Sequence, residues 1–155
     1  MDDPKWLAFY GMLQVNARIV ERVGARMERE TGLSPAWFEV LANLHECPLR
    51  MSELADCLTL SRGGATRLIA RMEDAGLVER ITPKEDRRAT YAKITPAGTD
   101  ALLRAKPLHF QAVQDLWSQF IDDEQAATLH AAFASVLSGN GISVHDITRD
   151  PESAP

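Results

Sequence analysis

The tightest constraint on this chain lies between residues 51 and 76, where two helical patterns are separated only by Thr59-Leu60-Ser61. In the second pattern apolar residues recur at Ala65, Leu68, Ile69, Met72 and Ala75, the three-and-four spacing of a helix with one buried stripe. A rotation of about 100° per residue puts Gly63, Arg67, Ala70 and Asp74 on the opposite face, with Thr66 and Arg71 beside them. That face is small, cationic and hydroxylic at its start, so a polyanion can approach it closely. Ser61 suits the N-cap, where its oxygen accepts from an orphan N–H, and Gly76 before Leu77 suits a left-handed stop. Upstream, residues 51–58 read as a short helix capped by Ser52, with Met51, Leu54, Ala55 and Leu58 facing inward. Two helices joined across so short a turn form a helix-turn-helix, whose second member can lie in a DNA major groove.

A β-hairpin follows. Residues 77–82 and 90–95 carry β-branched and apolar side chains in rough alternation around the polar loop 83–89, which holds Lys84, Arg87 and Arg88. A cationic loop projecting beside a helix-turn-helix makes a winged helix.

Several motifs carry a resemblance: Ser52-Glu53-Leu54-Ala55, Thr66-Arg67-Leu68-Ile69-Ala70-Arg71-Met72-Glu73, Ala75-Gly76-Leu77-Val78-Glu79-Arg80, Asp86-Arg87-Arg88-Ala89 and Ile94-Thr95-Pro96-Ala97-Gly98. With them the stretch 51–95 resembles the MarR family of bacterial transcriptional regulators, and the family's order of elements extends over about residues 6–137. The resemblance implies a mainly α fold with a small β-hairpin wing: a winged helix-turn-helix with long N- and C-terminal dimerisation helices. It also places Asp86 and Arg88 at the family's Asp-x-Arg pair. There the carboxylate can hold the guanidinium extended for the minor groove, while Arg87 and Lys84 meet phosphates.

The flanks read as helices. Trp6, Phe9, Tyr10, Leu13, Ala17, Val20, Val23 and Met27 recur along one long N-terminal helix, expected over residues 6–29. Gly32 stops it, Ser34 caps the next, and Pro35 suits that helix's first position. This second helix is expected to reach Glu46, burying Trp37 or Phe38 with Leu41 and Leu44. Thr95-Pro96 starts a third long helix through Leu102, Leu103, Leu108, Val113, Leu116, Trp117 and Phe120, with a kink expected at Pro107. Asp122 and Gln125 form a capping box for a last helix through Ala126, Leu129, Phe133, Val136 and Leu137. The expected organisation is a helical dimerisation region at 6–31 and 96–138, a winged helix-turn-helix at 34–95, and a mobile tail at 139–155.

The net charge is −5, which by itself opposes DNA binding. Its distribution does not: residues 49–96 hold 9 Lys and Arg against 7 Asp and Glu, leaving 8 against 15 elsewhere. The two cysteines, Cys47 and Cys57, have no metal-like or redox-motif spacing and are expected as buried small hydrophobes. Since some relatives of the resembled family sense oxidants through cysteine, a redox-sensing regulator acting through Cys47 or Cys57 is one alternative. A winged-helix protein-interaction module is another, disfavoured by the cationic face. No nucleophile–base pair, metal cluster or phosphate-binding loop is evident, so no enzyme activity, metal or cofactor is expected. No stretch is apolar enough to span a bilayer and the N-terminus lacks a signal-peptide pattern, so the expected location is the cytoplasm.

The expected function is therefore sequence-specific DNA binding by a homodimer on a pseudo-palindromic operator, most simply as a repressor. Ser61, Arg62, Gly63, Thr66, Arg67 and Arg71 would serve from the helix, with Lys84, Asp86, Arg87 and Arg88 in the wing. Gly63 and Gly64 cost helix propensity, offset either by close approach to a phosphate or by a frayed first turn. The resemblance further implies release by a small aromatic or anionic effector between the dimer helices and the winged domain. Trp6, Phe9, Tyr10, Arg18, Trp37, Phe38, His45 and His109 are the candidate lining residues, each also explicable as packing.

Overall fold

The computed structural model describes residues 3–83 and 89–142. Helix α1 (Pro4–Val15) begins where the Asp3 carboxylate accepts from the Lys5 backbone N–H at 2.9 Å. The long N-terminal helix then departs from the expected regular course, because a π-helical turn at Asn16–Val20 precedes α2 (Glu21–Thr31). A wider turn inserts a residue and rotates the stripe beyond it. Val23, Gly24 and Met27 of α2 are accordingly buried, whereas α1 buries nothing.

Gly32 ends α2 in the left-handed region (φ 73°), and the Ser34 hydroxyl accepts from the Trp37 N–H to start α3 (Pro35–Leu44). This helix stops at Leu44, short of Glu46, and buries Val40, Leu41 and Leu44, with Trp37 and Phe38 half-buried. Cys47, expected inside, is exposed in the turn that follows, while Cys57 is half-buried; both are free thiols. The turn reaches a two-residue strand, β1 (Leu49–Arg50), too short to show any alternation in the sequence.

Helix α4 (Met51–Cys57) is capped differently from the expectation. Ser52 lies inside it, and the Arg50 N–H donates instead to the Glu53 carboxylate at 2.9 Å. Its end turns through Thr59, a non-glycine residue in the left-handed region at φ 53°. Helix α5 (Arg62–Asp74) follows, burying Ala65, Leu68, Ile69 and Met72; Ala75 falls beyond its last turn and is exposed. Strands β2 (Val78–Ile81) and β3 (Tyr91–Ile94) pair antiparallel, Arg80 opposite Ala92, and β1 adds to the other side of β3, so the sheet order is β1-β3-β2. Leu41, Leu44, Leu54, Ile69, Met72, Val78, Ala92 and Leu102 form one core joining α3 to the sheet and to α6 (Pro96–Leu116).

Thr95 is the junction between wing and α6. Its hydroxyl donates to the Gly76 carbonyl at 2.7 Å and accepts from the Gly98 N–H at 3.1 Å, while its own N–H donates to the Leu77 carbonyl at 3.1 Å. Gly98 is buried there because a side chain has no room: a Cβ would lie 2.1 Å from the Leu77 carbonyl oxygen. The Thr-Pro-Ala-Gly run is thus one device, a cap, a pre-set first turn and a close backbone crossing.

Pro107 sits within α6 without ending it, but the helix stops at Leu116, so Trp117 caps its C-terminus and Phe120 belongs to a 3-10 turn at Ser118–Phe120. The expected box opens α7 (Asp123–Gly139): Asp122 N–H to Gln125 at 3.0 Å, Gln125 N–H to Asp122 at 2.8 Å. Helix α7 buries none of its residues, and of the expected tail, residues 143–155 lie outside the described residues. The architecture is a winged helix-turn-helix with long helices at both ends. No helix among the described residues is long and apolar enough to cross a membrane.

Candidate nucleic-acid interface

The start of α5 is built by its cap. Ser61 Oγ accepts from the Gly64 N–H at 3.1 Å, and a Cβ on Gly64 would approach that oxygen to 3.2 Å. A side chain at Gly64 would therefore crowd the cap, which accounts for that glycine locally. Gly63 is different: the nearest atom to a Cβ there is Arg67 Nη1 at 3.5 Å, an ordinary contact. The guanidinium of Arg67 folds back one turn over the bare Gly63 backbone, close to the positive end of the helix dipole.

Ser61, Arg62, Gly63, Thr66, Arg67 and Arg71 are all exposed, on the side away from the buried stripe. The Thr66 hydroxyl donates to the Arg62 carbonyl at 2.8 Å, leaving its methyl group and an acceptor lone pair to face outward. Charge is apportioned unevenly around the sheet and helix. Arg80 is taken by Glu73 and Lys93 by Glu79, but among the described residues no carboxylate pairs with Arg62, Arg67 or Arg71. Among the described residues, three unpaired cations thus lie along a helix whose other exposed residues near its start, Ser61, Gly63 and Thr66, are small, with Asp74 exposed at its far end.

The wing's base is held by that Glu73 pair. Glu73 Oε2 accepts from Arg80 Nε at 2.9 Å and from Nη2 at 2.5 Å, while Oε1 accepts from the Arg80 backbone N–H at 3.1 Å. The Arg80 guanidinium and backbone N–H hold the Glu73 carboxyl below the usual carboxylate range. Lys84, Asp86, Arg87 and Arg88, expected to serve from the wing, lie outside the described residues.

Residues 31–89, the span from the end of α2 through the wing, match the model of the MarR family. The same order of elements recurs in AbsC, a MarR family transcriptional regulator of Streptomyces coelicolor. That structure superposes with a TM-score of 0.83 at 26% identity, over 91% of this chain and 97% of AbsC. The chain belongs to the MarR family of transcriptional regulators. Sco3205, another family member of S. coelicolor, solved in complex with DNA, matches with a TM-score of 0.84 and 25% identity over 95% of this chain and 94% of its own. YkoM of Bacillus subtilis, an uncharacterised HTH-type transcriptional regulator, is 30% identical over 101 residues, 64% of this chain and 66% of that relative. These relatives are regulators rather than enzymes.

The eight effector candidates of this MarR-family chain do not converge within the single chain. Trp6, Phe9 and Tyr10 form an exposed cluster on α1, Trp6 and Tyr10 having ring centroids 5.9 Å apart. Arg18 lies on a shallow depression of the outer face with Ala17, Glu21, Arg22 and Ala25. Trp37 borders a groove of about 550 Å³ between α2, α3 and α6 that also meets Leu33, Leu77, Arg104 and Leu108. Phe38 stacks on His109 at 4.6 Å, and burial pushes the His109 pKa below its ordinary value. His45 caps the end of α3, its Nδ1 buried with no hydrogen-bond partner among the described residues.

Two functional features escaped sequence reasoning. Glu73 and Arg80 are seven residues apart, but α5 ends between them and Arg80 lies in β2, so helical spacing does not link them and only the fold brings them together. The Thr95 link to Gly76 was visible as a cap but not as a tie to the end of α5.

Proposed function

We propose that this chain acts as a homodimer that binds a pseudo-palindromic operator and represses transcription until a small ligand releases it. The observation that carries the reading is the set of arginines Arg62, Arg67 and Arg71, without a carboxylate partner among the described residues, on a capped, glycine-fronted helix beside a wing. Phosphates can meet Arg62 and Arg71 while Arg67 and Thr66 reach base edges; the Thr66 methyl suits a thymine. Lys84, Asp86, Arg87 and Arg88 are proposed to complete the surface from the wing, with Arg88 in the minor groove. The DNA complex formed by Sco3205 supports this use of the fold.

Dimerisation follows from what the protomer leaves bare. Trp6 is 51% exposed, Phe120 72% and Phe133 40%, and α1 and α7 bury nothing inside the chain. Apolar surface of this extent at both ends of a chain marks an association site. Residues 6–31 and 96–138 are the proposed dimerisation region and 34–95 the DNA-binding domain, so two copies of α5 face two half-sites about one helical turn apart. Closing the dimer is also what would gather Trp6, Phe9, Tyr10 and Arg18 of one protomer near Trp37, Phe38, His45 and His109 of its partner into an effector site.

The test is a gel shift on DNA flanking the protein's own coding region across a salt series, repeated with a panel of aromatic acids and phenols, with light scattering on the same sample. Steeply salt-dependent binding by a dimer is expected. A monomer at micromolar concentration, or salt-insensitive retention, would overturn the reading.

A further inference from the structure

Arg80 stands at the foot of the wing, a short step from the recognition helix, where a cation invites assignment as one more phosphate contact. Its surroundings oppose that. Both its guanidinium and its backbone N–H are directed at Glu73, which lies in the last turn of α5. Because Glu73 also accepts from the main chain, it fixes the course of β2 and not merely a side-chain rotamer. The pair is only partly solvated, the two side chains being 38% and 34% exposed.

We propose that Glu73 and Arg80 are positioning residues for operator recognition, locking the wing to the recognition helix so that both meet the duplex at one fixed angle. The chain between them passes through Gly76, a single left-handed residue at φ 73° that would otherwise serve as a pivot. On one side of this pivot Glu73 holds Arg80 in β2. On the other, Thr95 at the end of β3 holds the Gly76 and Leu77 carbonyls. Since β2 and β3 are themselves paired, with Arg80 opposite Ala92, a hairpin tied at both roots cannot swing without breaking one of the ties. The proposal rests on the DNA-binding reading above.

The two possible roles of Arg80 give opposite signs on Glu73. If Arg80 served phosphate, removing the neighbouring carboxylate would delete a repulsive charge and free a cation, so binding would tighten. If the pair positions the wing, the same change loosens binding although the surface becomes more positive. The experiment selects a duplex from a random-sequence pool with wild-type protein, then measures affinity for it and for an unselected duplex across salt. Glu73→Gln is expected to weaken the selected duplex by about tenfold, with little loss on the unselected one and an unchanged salt slope. Arg80→Lys, which keeps the charge but loses the planar fork, should do the same, and Glu73→Gln with Arg80→Gln should be no worse than either single change. Equal or tighter binding by Glu73→Gln, or by Arg80→Lys should Glu73→Gln fail to fold, overturns the positioning role. So does an Arg80→Gln variant that weakens both duplexes alike and lowers the salt slope by about 1. If wild-type protein selects no duplex, the DNA-binding reading itself falls and this assignment with it.

Discussion

Replacing Gly98 by Ala tests how closely α6 crosses the start of β2. A methyl group there would sit 2.1 Å from the Leu77 carbonyl oxygen and 2.9 Å from Ile94 Cγ1. A comfortable carbon–oxygen approach is about 3.3 Å, so the backbone must part by roughly 1 Å. Leu77 cannot yield by a rotamer change because the colliding atom is main chain, and that same carbonyl accepts from Thr95 at 3.1 Å. Forcing extra volume into a packed site costs about 1–3 kcal/mol. Weakening two of the three hydrogen bonds centred on Thr95 adds about 2 kcal/mol. Against this, alanine gains about 1 kcal/mol of helix propensity over glycine. The net expectation is a loss of about 2–4 kcal/mol, or about 5–15 °C in melting temperature for a chain of this size. Circular dichroism melts at matched protein concentration measure it. Gly24→Ala is the comparator: its Cβ would meet Pro35 Cγ at 2.6 Å, a ring that can pucker away, so the loss should be smaller. A Gly98→Ala protein that melts with wild type would show that this crossing is loose, and the role given to the Thr95 junction would fall.

Gly63→Ala has open room, Arg67 Nη1 being an ordinary 3.5 Å away, so it should leave melting unchanged or raised by a few tenths to 1 kcal/mol equivalent, about 1–3 °C. If the bare backbone exists for a phosphate, the same variant binds DNA less tightly in a gel shift; unchanged affinity would assign Gly63 to local structure alone. Thr59 holds the position that Gly76 holds after α5, closing α4 with its N–H to the Asp56 carbonyl and Leu60 N–H to the Ala55 carbonyl. Thr59→Gly should therefore stabilise the fold, by about 1 kcal/mol, in a urea titration; a loss would show that φ 53° is no strain there. His109 is half-buried against Phe38, and burial lowers its pKa from the ordinary 6.5. Between its folded and ordinary pKa values the unfolded chain binds the extra proton, so stability is greatest above pH 6.5 and declines as pH falls through that window. Melting temperatures taken from about pH 7 to pH 5 should drop less in His109→Phe than in wild type; parallel curves would sink the assignment.

Local signals in the chain hold in the structure where their reach is three to five residues. Ser34, Ser61, Thr95 and the Asp122–Gln125 box start helices where a hydroxyl or carboxylate precedes a periodic run, and Gly32 and Gly76 stop them at φ 73°. Departures from the expected pattern have local causes too. Ser52 was a plausible cap, but Pro48 is followed by an extended segment that pairs as β1, which moves the helix start to Arg50 and hands capping to Glu53. Cys47, expected as a buried small hydrophobe at an element end, is exposed because α3 stops at Leu44 and leaves it in the turn that follows.

The amino-acid order alone determined the winged helix-turn-helix, the buried and cationic faces of α5, and the apolar excess carried by the terminal helices. Those follow from helical periodicity, from caps, and from apolar residues in excess of what a small core can cover. Tertiary structure alone decided which Arg is held and which is free, since Glu73 claims Arg80 while, among the described residues, no carboxylate pairs with Arg62, Arg67 or Arg71. It likewise decided that Gly98 must be bare and that two residues of β1 complete the sheet. Each of these depends on segments meeting at a distance and angle fixed by the packed core, and no periodic pattern along the chain encodes that meeting.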